Sequence, residues 1–190
     1  MKKDSILKNA LILCGITLIA GLLLGLTYNF TLDAIAEQTR IKTENALAAV
    51  MENASFEETD IQGEVKFITK VYEATDKDTS DVKGYAFQLA TTEGYDGTIN
   101  MMVGINADGT LNGIDIISHT ETPGLGAKAD DAPFKNQFVQ KAASLLTLVK
   151  GNSDGQNIDA IGGATITSSA VTAAVNEAII YYNDIIKEGN

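Results

Sequence analysis

"TINMMVGINADGTLNGIDIIS", residues 98–118, alternates apolar and polar side chains on both sides of a short turn signal. Ile99, Met101, Val103 and Ile105 recur at every second position, the period that lines one face of a strand. "NADG" (106–109) supplies the turn and "TLNGIDIIS" returns, so the segment predicts an antiparallel hairpin. Upstream, "GEVKFITKVYEA" (63–74) alternates Val65, Phe67 and Val71 with polar residues, and "KGYAFQLATT" (83–92) sets Tyr85, Phe87 and Leu89 on one face. The polar "TDKDTSD" between them reads as a turn. Downstream, "APFKNQFVQKAASLL" (132–146) reads as a short amphipathic helix, and Val171, Val175, Ala178, Tyr182 and Ile185 mark one face of a final helix. These elements predict an α+β domain with an antiparallel sheet and packed helices. The tyrosines and methionines read as core rather than as a separate electron path.

The N-terminal end obeys a different pattern. Residues 9–32 carry no charged side chain, a run of 24 that exceeds the roughly 20 apolar residues needed to cross a bilayer. A cleaved signal would have an apolar core of only about 7–15 residues, so "AIA" at 34–36 is not taken as a cleavage site and the span is expected to remain. "LILCG" places Leu13 before Cys14, where a lipoprotein signal would place a small residue. Lys2, Lys3 and Lys8 precede the span, which predicts a cytoplasmic N-terminus and an extracytoplasmic domain. The expected organisation is a cytoplasmic tip and transmembrane helix over 1–32, a stalk helix and linker over 33–58, and the main domain over 59–190.

Residues 33–190 hold 24 of the 25 acidic side chains and 11 of the 14 basic ones, an excess of 13 negative charges. Such a domain repels phosphate backbones, so nucleic acid is excluded as a partner class. The only cysteine, Cys14, lies inside the apolar run. The outer domain therefore has no thiol for a disulfide, a metal cluster, a haem attachment or a nucleophile.

Two stretches stand out against this ordinary domain. "HTETPGLGAK" (119–128) follows a strand, and its proline and glycines make a loop whose backbone can approach a ligand, or a plain structural turn. His119 and Glu121 could form an acid/base pair, although two residues apart on a loop leaves their geometry open. "DAIGGATITSS" (159–169) runs into the final helix. A helix N-terminus suits a phosphate, while Ser168 or Ser169 could equally serve as a cap. No lysine follows the glycines, so this is not a Walker loop, and the full Rossmann fingerprint is missing.

"DAIGGATITSSAV" resembles the flavinylation motif of the FMN-binding domain family. The resemblance implies that Asp159 is the motif acid, that Gly163 and Ala164 are its central pair, and that Thr165 bears FMN through a phosphoester, with Thr167 nearby. Gly162 stands where the family usually has serine or threonine; the accepting hydroxyl of Thr165 is present. "ETPGLG" is similar to the family's second signature, a loop beside the flavin, which implies that Glu121, Thr122, Pro123, Gly124, Leu125 and Gly126 border the cofactor. "GYDGTINMMVGI" (94–105) resembles the segment leading to it. With the single span, the pattern resembles the G subunit of the Rnf complexes, which implies an electron-transfer component. Its partners would be other membrane subunits coupling ferredoxin:NAD electron transfer to ion movement, and a flavin transferase using FAD and magnesium would install the flavin. The alternatives are a related covalent-flavin subunit of a sodium-pumping quinone reductase, a carrier in extracellular electron transfer, or an anchored scaffold with no redox group.

Overall fold

The computed structural model describes residues 3–151 and 154–187 and divides into two units, residues 1–42 and 43–190. Helix α1, Lys3–Val50, supplies all of the described part of the first unit and the start of the second. From Ile6 to Ile35 its large apolar side chains are exposed on every side, the pattern of a helix meant for an apolar solvent. The 24 uncharged residues span about 36 Å, enough for a hydrocarbon core of about 30 Å. Four polar side chains within it are satisfied locally. The hydroxyls of Thr17, Thr27 and Thr31 donate to carbonyls of the preceding turn, and Asn29 Nδ2 donates to Gly25 O at 3.1 Å.

In the second unit, five antiparallel strands form a meander in chain order: β1 (Ala54–Thr59), β2 (Ile68–Asp76), β3 (Val82–Thr91), β4 (Ile99–Asn106) and β5 (Leu111–His119). The predicted hairpin is present in register, with Ile99 opposite His119 and Val103 opposite Ile114. Its turn closes with Gly109 N–H donating to Asn106 O at 2.9 Å. In the 76–81 turn, hydrogen bonds from the Asp78 and Thr79 amides hold the Asp76 carboxyl below the usual carboxylate range.

Both faces of the sheet are covered. On one, Phe87, Leu89, Ile99, Met101, Val103 and Ile105 pack against helix α3 (Thr165–Tyr181) through Val171, Val175 and Ala178. On the other, Ala86, Met102 and Ile117 pack against Ala46, Leu47 and Val50 at the end of α1. Approach there is close: a Cβ at Gly104 would lie 2.5 Å from Val50 O. That carbonyl, left without a helical partner where α1 stops, accepts from Asn112 Nδ2 at 2.6 Å.

Three expectations need correction. The stretch 33–58 contains no simple linker at its end, because Ala54–Thr59 forms the edge strand β1 paired with β2. The segment 132–146 is not one helix: α2 covers only Ala132–Lys135, and a single 3₁₀ turn, Asn136–Phe138, follows. Beyond it Gln140 adopts φ 60°. Its N–H donates to Leu111 O, and Leu111 N–H donates to Lys141 O. An edge strand in need of backbone partners has overridden helical propensity. The tyrosines are not all core either, since Tyr28 is exposed on α1 and Tyr95 is 71% exposed before β4. A short parallel pair, β6 (Thr147–Val149) and β7 (Asn157–Asp159), then leads into α3.

Lys135 fastens α2 to the sheet, donating at 2.8 Å to both Asp115 and Asp130. Partial burial acts to lower its pKa, but the two carboxylates outweigh this and raise it. A raised folded pKa means that the stabilisation is fully present below the unfolded value, about 10.4, and is lost as pH rises through the higher folded value. Lys135→Met should cost about 1 kcal/mol at pH 7, and urea melts should show the difference shrinking as pH rises through that alkaline range. Gly104→Ala should cost about 1–3 kcal/mol, because the methyl meets backbone rather than a movable side chain; thermal melts of the full chain check this.

Candidate functional site

Helix α3 begins at Thr165 with no side chain capping its first amides. Composition offered Ser168 or Ser169 as the cap, yet Ser168 is fully buried one turn in, where its hydroxyl donates to Ala164 O at 2.9 Å and accepts from Ile161 N–H at 3.0 Å. It ties the incoming loop to the underside of the first turn. Gly163 takes φ +80°, a left-handed conformation that residues with a Cβ resist, and brings the chain round to the helix. Thr165 is left exposed, with no hydrogen-bond partner among the described residues for its hydroxyl. Exposed hydroxyl and uncapped amides together make a site for a phosphate group.

The second loop reaches the same place. Thr122 O accepts from Leu125 N–H at 3.1 Å, with Pro123 and Gly124 (φ +79°) at the two central positions, which is a type II turn. This turn delivers Leu125 against Gly163, where a Cβ would stand 3.3 Å from Leu125 Cδ2. Glu121, just before it, is 4% exposed and Thr167 is fully buried. The Thr167 hydroxyl donates to Glu121 Oε2 at 2.6 Å, and the Asp96 amide donates to Glu121 Oε1 at 3.2 Å. A Cβ at Gly126 would lie 2.1 Å from Oε2, and one at Gly94 would lie 2.4 Å from Oε1. Two glycines thus leave the space this carboxylate occupies.

Between the loop and the helix end lies a cleft of about 390 Å³, within the range usual for cofactor sites. Of the residues expected to border a cofactor, Glu121, Thr122, Leu125, Gly126, Gly163, Ala164, Thr165 and Thr167 line it. Pro123 and Gly124 shape the turn without lining the cleft. Gly162 is exposed, with open space around it. Asp159 lies on β7, where its Oδ1 accepts from Gly151 N–H at 2.6 Å and Gln137 pairs with its backbone through both amide atoms. It therefore braces the loop preceding the motif. Tyr95 and Ile166 also line the cleft; both lie within the motif segments but are not among the residues expected to border a cofactor. An aromatic between glycines in "GYDG", outside any strand pattern, is the one available signal for Tyr95. His119 does not join Glu121 in a site: Glu121 is taken up by Thr167 and Asp96, and His119 Nδ1 is buried without a partner among the described residues.

Comparison with known proteins identifies the family. Residues 94–180 match the FMN-binding domain family, and residues 1–50 match the RnfG N-terminal region. The chain is 36% identical over 175 residues to the G subunit of the proton-translocating ferredoxin:NAD(+) oxidoreductase complex of Clostridium ljungdahlii, covering 92% of this chain and 89% of that one. It is 46% identical over 114 residues to the Na(+)-translocating counterpart of Acetobacterium woodii, covering 58% and 55%. Among solved structures, Shewanella oneidensis NqrC superposes with a TM-score of 0.52 at 25% identity, covering 68% of this chain and 65% of that one. The C subunit of the Na(+)-translocating NADH-quinone reductase of Parabacteroides distasonis gives 0.55 at 20% identity, covering 79% and 94%, a likeness of fold. On the strength of these matches over nearly its full length, the chain is a membrane-anchored member of the RnfG family, the G subunits of Rnf-type complexes, and carries that family's FMN-binding domain.

Proposed function

We propose that this protein is an electron-transfer subunit of an Rnf-type complex, working with the other membrane subunits, and that it carries FMN covalently on Thr165. One observation supports the attachment most directly: the exposed Thr165 hydroxyl stands at an uncapped helix N-terminus on the rim of the cleft. The residues fit the group. The amides at the start of α3 suit the phosphate, while Leu125, Ile166 and Tyr95 give the cleft apolar and aromatic walls for a flat ring. When bound, the flavin supplies the one- and two-electron chemistry, and the protein's task is to position it and exclude competing reactions.

Attachment by a flavin transferase balances as follows. Thr165 Oγ forms a bond to the FMN-side phosphorus of FAD, the pyrophosphate bond breaks, AMP leaves, and the hydroxyl proton is released. Such a tether suits a domain on the outer side of the membrane, the placement predicted by the N-terminal lysines. Rebinding becomes intramolecular, with an effective concentration on the order of millimolar, whereas a dissociated FMN would be diluted away. The sodium-pumping quinone reductase reading draws on the NqrC-like fold, but the match of residues 1–50 to the RnfG N-terminal region favours the Rnf reading. Relatives named for protons and for sodium share this subunit, which supports placing ion choice elsewhere in the complex.

The full chain, co-expressed with a flavin transferase and then denatured, should show the added mass of FMN and yellow colour; Thr165→Ala should abolish both. A parent chain that stays unmodified while a control protein is flavinylated would falsify this reading. Gly162→Ser supplies the family's usual hydroxyl, and its Cβ would meet no atom within 4 Å. Its melting temperature should stay within about 2 °C of the parent's, as is usual for surface changes, and attachment should persist.

A further inference from the structure

We infer that Glu121 is a positioning residue for the attachment of FMN, acting through Thr167; this rests on the reading of Thr165 as the attachment residue. The first turn of α3 carries three hydroxyls within four positions, and the structure gives each a different fate. Ser168 is taken up by the loop beneath it, Thr167 donates to Glu121, and Thr165 alone stays exposed. No side chain caps the helix, so the direction of its first turn is set by these tertiary bonds. Glu121 is the link between that turn and the opposite wall of the cleft, because its other oxygen accepts from the Asp96 amide in the loop before β4. The glycines at 94 and 126 leave room for the carboxylate, since a Cβ at either would overlap one of its oxygens. Buried polar groups that lose a partner are costly, so breaking the Thr167–Glu121 bond should drive the helix start and the loop to rearrange. The Thr165 hydroxyl would then no longer be presented in one geometry to the incoming phosphorus, and displacements of about 1 Å can cost a reaction up to a hundredfold.

Geometry and charge can be separated at this site. In Glu121→Gln the amide oxygen can accept from Asp96 N–H while its NH₂ donates to Thr167 Oγ, preserving the shape and removing the charge. Thr167→Ser keeps the hydroxyl, and Thr167→Val removes it at nearly constant volume. The experiment incubates purified full-length parent, Glu121→Ala, Glu121→Gln, Thr167→Val, Thr167→Ser and Thr165→Ala with flavin transferase, FAD and magnesium. It follows FMN mass per denatured chain over time, with a melting curve for each protein.

Glu121→Ala and Thr167→Val should be modified at least about tenfold more slowly than the parent while still folded at the assay temperature. Glu121→Gln and Thr167→Ser should remain within about threefold of the parent. If the first two are modified as fast as the parent, or if all four slow alike in step with their melting temperatures, the positioning role is overturned while Thr165 attachment stands. An unmodified parent overturns the attachment reading itself, and this inference with it.

Discussion

A single carboxylate holds the cleft together. Glu121 is buried with no cationic partner among the described residues, so its stabilisation must come from the Thr167 hydroxyl and the Asp96 amide. Leaving a buried carboxyl without hydrogen-bond partners is costly, so the site must keep these donors in place. Each donor belongs to a different segment: the loop before β4 supplies one, the first turn of α3 the other, and the acid itself sits on the loop after β5. Glycines at 94 and 126 are the steric condition for the arrangement, since a Cβ at either would overlap a carboxylate oxygen. Separate parts of the chain thereby acquire one fixed relation at the cleft proposed to hold the cofactor.

The rest of the second unit maintains that relation. Strand β4 is buried on both faces, with Val103 toward α3 and Met102 toward the end of α1. A sheet clamped from both sides gives α3 a rigid floor. The loops leading to the helix are held by side-chain amides that stand in for a neighbouring strand. Gln137 exchanges two hydrogen bonds with the Asp159 backbone, and Asn176 does the same for Leu146. Backbone groups that would be costly to leave unpaired are satisfied at the approach to the site.

Period-2 alternation made β2 to β5 legible in the sequence, and the glycine- and hydroxyl-rich stretch marked the start of α3. What escaped was set by tertiary need. β1 is a six-residue edge strand carrying Glu57 and Glu58, too polar and too short to show a periodic signal. Residues 139–143 have helical composition but serve as backbone partners for β5, a demand invisible in a local window. At the site, eight of the motif residues line one cleft while Asp159, Gly162, Pro123 and Gly124 do not, and the division of labour among Thr165, Thr167 and Ser168 could not be read from composition. Three hydroxyls in one turn look alike until it is known which faces a loop, which faces an acid and which faces solvent.

Electrostatics bears on why a covalent bond suits this cleft. Glu121 is the sole charged residue lining it among those described, and the segment beyond the apolar run carries an excess of 13 negative charges. A phosphate entering there meets no lysine or arginine in the described lining, and its chief attraction is the N-terminus of α3. A helix terminus contributes about 0.3–1 kcal/mol to holding an anion, and at most about 2 in partly buried geometries. That corresponds to a factor of about 30 or less in a binding constant, a weak hold on a cofactor. Stacking against Leu125, Ile166 and Tyr95 adds to it, but those side chains are each more than 40% exposed and keep one side open to water. An open, acidic cleft favours access to the cofactor over tight binding of it, and the proposed phosphoester to Thr165 would reconcile the two, because retention would no longer depend on the strength of the noncovalent contacts.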